Sequence, residues 1–336
     1  MKQVQIHGPD DVRIDDVEPQ PPGPRDAILR VAACGICGSD LGYVKLGGIA
    51  GPSPTPMPLG HELAGVIESV GAEVGHLVPG ARVVLNPSRA RIGNGGTEGG
   101  FTHRLLVRDA AAGDALFPIP DELSFDRAAL TEPLGVGMNA VDRSEAKPGE
   151  GIVVFGAGPI GLAAVATLRD RGVDDVIAVD LSDTRLGLAE KLGARATVNP
   201  GREDTWARIR ELHGTTSLMG APMAGSHAYI EASGASAVIP EILQHAGPGA
   251  RLSVVALHRQ PTEVPFLLVM MKQLTIRGAM EYPQDYKTMI DLLTRWDLDA
   301  MITHRFPLTD FGEALRVAQD PQTSGKVMIE IGEAGE

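Results

Sequence analysis

The 336-residue sequence predicts an α/β protein of two domains, one β-rich and one built on a doubly wound parallel sheet. Three observations carry this. The first ~120 residues break into short β-branched runs punctuated by Pro- and Gly-rich turns. From residue 151 onward strands and helices alternate. The length exceeds what one core of ordinary size fills.

In chain order, "DAILRVAAC" (26–34), "HELAGVIESVG" (61–71) and "ARVVLNP" (81–87) read as strands, bounded by "PPGP", "GPSPTPMPLG" and "VPG". "SFDRAALTEPLGVGMNAVDRSEA" (124–146) has helical spacing of apolar residues, and Lys147-Pro148-Gly149 ends it. "GIVVFGA" is a buried strand, "PIGLAAVATLRDRG" a helix ending at Gly172, "DVIAVD" a strand, and "TRLGLAEKLG" a helix ending at Gly193. "AYIEAS", "ARLSVVAL" and "LTIRGAM" are further strands, as a parallel sheet covered on both faces requires. The tail reads as a helix, "DYKTMIDLLTRWDL", a polar stretch and a last strand, "SGKVMIEI". "RIGNGGTEGG" (91–100) reads as a flexible turn rather than a phosphate loop, since no strand feeds it and no helix follows. The expected domains are 1–133 with 282–336, and 134–281.

Composition narrows the function. A net charge of −13 gives no basic footprint for nucleic acid. No apolar run is long enough to span a bilayer, and the first twenty residues contain no secretory h-region. Two cysteines cannot make a disulfide framework, so a reducing cytoplasm is expected.

"IVVFGAGPIG" (152–161) follows a strand and opens a helix. Gly156 permits the tight turn, Gly158 lets backbone approach a pyrophosphate, and Gly161 allows close helix–strand packing. Pro159 and Ile160 open the helix whose positive end faces the phosphates. Asp180 ends the next strand, 19 residues beyond Gly161, where a carboxylate accepts from both ribose hydroxyls. It would repel a 2′-phosphate, which favours NAD over NADP; Arg185, a nearby cation, pulls the other way. Ser233 lies in "IEASGA" (230–235), which with "VVALH" (254–258) is expected to frame the nicotinamide. His258 is expected to face solvent rather than cofactor, and Met270-Met271 to fill core.

Both cysteines lie in "AACGICGSDLG" (32–42). On residue type alone they fit a redox pair, half a zinc knuckle, one metal ligand beside a bystander, or small core residues. Cys37, His61, Glu62 and Glu132 are of ligand type and widely spaced, as in catalytic zinc sites, which keep about three protein ligands and one open position.

"GHELAGVIESVGAEV" (60–74), with Gly60-His61-Glu62, Gly65, Gly71 and Val74 in register, resembles the zinc-site signature of the medium-chain, zinc-containing alcohol and polyol dehydrogenases. "CGICGSD" and "TEPLGVG" (131–137) are similar to that family's first and third ligand loops. The resemblance runs from about residue 1 to 331 and implies a GroES-like catalytic domain beside a Rossmann domain. It makes Cys37 and His61 zinc ligands and Cys34 a bystander. Glu62 and Glu132 are the candidates for the carboxylate ligand, the other touching the zinc-bound water. It also makes Asp40 the group that orients His61, and places Lys326 on Glu62 or on the cofactor pyrophosphate.

Two departures from the family pattern matter. "NPSRARIGNGGTEGGF" lacks the four cysteines of the structural-zinc lobe, which implies one zinc per chain. Gly42 stands where relatives carry the histidine that ends the proton relay, so only Ser39 remains to take the alcohol proton.

The implied reaction is oxidation of a secondary alcohol (a polyol, diol or hydroxy-amino acid) to a ketone, with hydride passing to NAD and zinc lowering the alcohol's pKa. Glu281-Tyr282 stands where sorbitol-type members have Arg-Tyr, which weighs against a sorbitol-like pose. The partner is a small alcohol or ketone, and a homodimer or homotetramer pairing through "LTIRGAM" is implied. The competing readings are a zinc-free quinone or enoyl reductase of the same fold and a non-enzymatic nucleotide-binding protein.

Overall fold

The computed structural model describes residues 1–283 and 285–331; the last stretch of the expected first domain, 332–336, lies outside the described residues. In chain order, β1 (Lys2–Gly8) and β2 (Asp11–Asp16) form a hairpin, followed by β3 (Ala27–Ile36) and a short helix, α1 (Gly38–Leu46). Then come β4 (Met57–Pro58), β5 (Glu62–Val70), β6 (Arg82–Leu85), β7 (Arg104–Val107) and β8 (Leu116–Pro118). The helical run at 124–146 is two helices, α2 (Phe125–Ala129) and α3 (Thr131–Ser144). Pro133 explains the break: its ring excludes the carbonyl of Ala129 from a continuous ladder, and it is tolerated only in a helix's first turn.

The alternating segment supplies β9 (Ile152–Phe155), α4 (Pro159–Asp170), β10 (Val176–Val179), α5 (Asp183–Leu192), β11 (Ala196–Val198) and α6 (Thr205–His213). A hairpin follows, β12 (Thr215–Leu218) with β13 (Ala221–Ala224). Next are β14 (Ala228–Glu231), α7 (Val238–His245), β15 (Arg251–Val254), α8 (Phe266–Lys272) and β16 (Thr275–Gly278). The tail holds α9 (Tyr286–Arg295), β17 (Ile302–Pro307), α10 (Phe311–Ala318) and β18 (Lys326–Glu330). The stretch read as merely polar therefore contains a strand and a helix. Phe311, Ala314, Leu315 and Ala318 recur at helical spacing, and Ile302, Leu308, Phe311 and Ala314 are buried.

Two compact units result. Of the described residues, the first comprises 1–132, 285–320 and 326–331; the second 133–283 and 321–325. In the first, a mostly antiparallel sheet runs β17-β18-β3-β5-β6-β8, with β7 on β3, and β2-β1-β4 forms a smaller sheet. The tail joins this unit by burial and by hydrogen bonds. Arg127 donates to the carbonyls of Leu293 and Trp296, and Arg305 pairs with Asp126 at 2.6 Å.

In the second unit all six strands of β11-β10-β9-β14-β15-β16 are parallel. Every residue of β9, β10 and β14 is buried, as expected of strands covered on both faces. The helices are capped where the sequence supplies an acceptor: Ser182 Oγ accepts from Arg185 N, and Asp204 Oδ1 from Ala207 N. The order reverses between β9 and β14, which opens a crevice at their carboxyl ends.

The 91–100 loop is a closed turn rather than a loose one. Gly93 N donates to Glu98 O, Gly96 N to Arg91 O, and Asn94 bridges to Leu59.

Candidate functional site

In the first unit, β3 ends at Ile36 and the chain turns into α1 with Cys37 at the helix N-cap. Asp40, one turn on, is fully buried and accepts from Cys37 N through Oδ2 (2.9 Å), which fixes the turn. β5 pairs with β3 through Gly35↔Glu62 and carries His61 and Glu62 to the same place. The donor atoms of Cys37, His61 and Glu62 lie within 4.8 Å of one another.

This pocket is largely buried and highly charged. His61 Nδ1 lies 3.4 Å from Asp40 Oδ1. The two atoms are nonetheless buried without a well-formed hydrogen bond. Burial alone would lower the His61 pKa; the charges of Asp40 and Cys37 outweigh it and hold the metal-free imidazole well above its ordinary value. Lys326 is equally buried and donates to Glu62 Oε1 (2.7 Å), Oε2 (2.5 Å) and the carbonyl of Ile36 (3.0 Å). Of the two placements expected for Lys326, it takes the one on Glu62.

Glu132, in the first turn of α3, is near enough for His61, Glu62 and Lys326 to act on its charge, but it is not among the three clustered donors. Burial pushes its carboxyl up to about 7, with His61 and Lys326 opposing and Glu62 adding to the rise. Cys34 is buried within β3, and desolvation raises its thiol pKa well above normal. Tyr43, one turn after Ser39 on α1, donates to Asn94 Oδ1 at 3.3 Å, and burial raises its phenol pKa against the opposing effect of His61 and Ser39.

One sulfur, one nitrogen and one oxygen donor, converging in a largely buried pocket with the Asp40 carboxylate 3.4 Å from the histidine ring, is a donor set suited to zinc. The unsatisfied His61 Nδ1 and Asp40 Oδ1 agree with a ring whose position is completed by a metal on its other nitrogen.

In the second unit, Gly156 has φ +92°, and a Cβ there would lie 2.7 Å from Ser233 N and Cα. A Cβ on Gly161 would strike the Gly156 carbonyl oxygen, while one on Gly158 would meet only Arg185 Nη1, at 3.6 Å. Gly158 is the N-cap of α4, and Pro159 and Ile160 open it. Asp180 accepts from Ala157 N (2.7 Å) and Ser182 N (2.8 Å), which holds its carboxylate against the glycine turn. Arg185 Nε donates to Ser324 O. A cavity of about 610 Å³ is lined by Gly156, Asp180, Leu181, Trp206, Ser233 and Val238, among others. This cradle has the shape and donors that a dinucleotide takes.

Two expectations are corrected. His258 does not face solvent: its Nε2 lies 2.7 Å from Oε2 of the fully buried Glu231, and its side chain is 14% exposed. Met270 is not core filler but 66% exposed. Trp206 and Glu231 were missed as site residues. Glu231, an acid closing an otherwise buried strand, was the available signal.

Comparisons with known proteins agree with this geometry. Residues 23–121 match the alcohol dehydrogenase GroES-like domain, and residues 159–295 the zinc-binding dehydrogenase domain. The sorbitol dehydrogenase of Homo sapiens is 31% identical over 330 residues, covering 92% of this chain and 90% of the relative. The chain belongs to the medium-chain zinc-binding alcohol dehydrogenase family. Its class is that of the zinc-dependent NAD(P) dehydrogenases. The crystal structure of 2R,3R-butanediol dehydrogenase from Bacillus subtilis superposes with a TM-score of 0.85 at 28% identity, covering 98% of this chain and 99% of that one. An alcohol dehydrogenase from E. coli CFT073 complexed with NADH superposes with a TM-score of 0.84 at 25% identity, covering 98% and 99%. Among the described residues no helix is long and apolar enough to cross a membrane.

Proposed function

We propose that this protein oxidises a secondary alcohol (a polyol, diol or hydroxy-amino acid) reversibly to the ketone, with NAD as hydride acceptor and one zinc ion per chain. The observation that carries the reading is the convergence of the half-buried Cys37 with the buried His61 and Glu62. Cys37 and His61 hold the metal, together with Glu62 or Glu132. Asp40 steers the His61 ring. Zinc supplies Lewis-acid polarisation of the alcohol oxygen, and the dinucleotide supplies the hydride acceptor.

The chain's own residues do the rest. Lys326 neutralises and fixes Glu62. Ser39 receives the alcohol proton; Tyr43, one turn further along α1 and hydrogen-bonded to Asn94, is the next hydroxyl outward where Gly42 replaces a histidine. Gly156, Gly158, Pro159, Ile160 and Gly161 admit the pyrophosphate to the start of α4. Asp180 accepts from the adenosine ribose hydroxyls, which supports NAD over NADP. Arg185 and Ser233 complete that pocket.

The polyol and diol classes rest on similarity to sorbitol and butanediol dehydrogenases. A homodimer or homotetramer is supported by the open edge of β16 and the exposed apolar residues around it, and a cytoplasmic setting by the free thiols. The test is elemental analysis of protein purified without added metal, paired with NAD-dependent oxidation of an alcohol panel. About one zinc per chain is expected, lost with activity in Cys37→Ser. Zinc-free protein that zinc cannot activate would overturn the reading.

A further inference from the structure

Glu231 is the last residue of β14 and is fully buried, yet the sequence offers no obvious partner near it. One of its oxygens, Oε1, accepts from Ser233 N (2.9 Å), Ser233 Oγ (2.5 Å) and Gly234 N (3.0 Å). The other, Oε2, is held by His258 Nε2 at 2.7 Å. In the tautomer with the proton on Nε2, His258 donates this hydrogen bond to Oε2. The Glu231 backbone carbonyl also accepts from Val255 N and Ala256 N.

A single buried acid thus joins the loop after β14 to the loop after β15. The first of these loops presses against the cofactor turn: there is no room for a Cβ on Gly156 because Ser233 is there. Ser233 and Gly156 both line the cavity that contains Asp180. His258 contributes the only donor to Glu231 from the far loop's side chains among the described contacts. Without it, one oxygen of a buried carboxylate loses its partner, and such an oxygen recruits water or pulls its loop open.

We propose that His258 is a positioning residue for the nicotinamide dinucleotide: through Glu231 it holds the 232–235 turn in the conformation that receives the cofactor. The inference rests on the cofactor reading given under the proposed function. It assigns His258 no contact with reacting atoms.

The test is NADH binding to the full-length protein, followed by fluorescence, for wild type, His258→Leu and His258→Gln. Leucine fills the space without a donor, whereas glutamine keeps an N–H for Glu231. If leucine reduces the fraction of competent turn to about a tenth, the NADH Kd rises about tenfold, since apparent affinity scales with that fraction. Glutamine should restore it to near wild type. Hydrogen exchange at the amides of 233–235 should quicken in His258→Leu and not in His258→Gln, while KM for the alcohol at saturating NAD stays unchanged. Should His258→Leu not fold, His258→Asn, too short to reach Glu231, replaces it in the same measurements. Equal NADH affinity and exchange in all variants would overturn the inference and leave the cofactor reading intact. Failure of the wild type to bind NADH would overturn both.

Discussion

At the scale of single residues, function concentrates where the chain buries charged side chains. Lys326 and Glu62 are each about 1% exposed, and such a pair survives only because each satisfies the other. Replacing Lys326 by Met leaves Glu62 buried without the cation that pairs with it, and the loss of one partner of a buried pair costs about 3–5 kcal/mol. Thermal unfolding of the metal-free variant should show a large drop in Tm, and Glu62→Gln in the same chain should recover part of it. Gly161 is a residue of the opposite kind, valuable for what it lacks. Because a Cβ there meets the Gly156 carbonyl, Gly161→Ala forces the turn and α4 apart, an overpacking cost of roughly 1–3 kcal/mol. Titration with NADH should show binding lost or strongly weakened in Gly161→Ala while the zinc content is kept.

At the scale of elements, the parallel sheet is held by fully apolar strands, and its margins by polar joints that respond to pH. His213 ends α6; its ring lies 2.9 Å from Ser226 Oγ and 3.1 Å from Asp175, with the side chain almost completely enclosed. Burial lowers its pKa, against the pull of the Asp175 charge. Below about pH 6.5 an unfolded histidine takes up a proton that the folded one resists. The folded state then binds fewer protons than the unfolded, so the His213 contribution is fully present above that pH and is lost as pH falls through the depressed folded value. Stability against urea should therefore decline on acidification through this window, and the decline should be shallower in His213→Asn. An unchanged slope would remove His213 as its source.

At the scale of the whole molecule, the second unit leaves an unusual amount of apolar surface uncovered. Phe266 (74%), Leu267, Met270 and Met280 are exposed on or near α8 and β16, and β16 is an edge strand with one side unpaired. An open edge flanked by apolar side chains is a pairing surface, and without a partner it is an aggregation hazard. Light scattering of the purified protein should give an oligomer, and the double variant Phe266→Glu, Met270→Glu should shift it toward monomer. Zinc acts at the same scale: a ligand bound only by the folded chain stabilises it by mass action. Stripping the metal with a chelator should lower Tm, and Cys37→Ser should be insensitive to the chelator.

Much of this was legible in the residues. The glycine turn, Asp180 at the following strand end and the alternation of strands and helices are local patterns, fixed by backbone sterics and by the period of apolar residues. Cys37, His61 and Glu62 were readable as ligand types because each sits in a short stretch with its own signature. The sequence did not decide which donors meet. Glu62 and Glu132 were equal candidates as residue types, and the Gly35↔Glu62 pairing of β3 with β5 is what brings the adjacent His61 and Glu62 to Cys37. Lys326 reaches Glu62 across 264 residues, and His258 reaches Glu231 across 27. The α10 helix carries its apolar residues at helical spacing and was locally legible, whereas β17 is defined by its parallel pairing with β18, which no local pattern records. The sequence by itself determined the elements and the chemical types at the site, because propensity, turns and periodicity act over a few neighbours. Only the tertiary structure decided the charge pairs, because a buried ion selects its partner by distance in space, which the order of residues does not record.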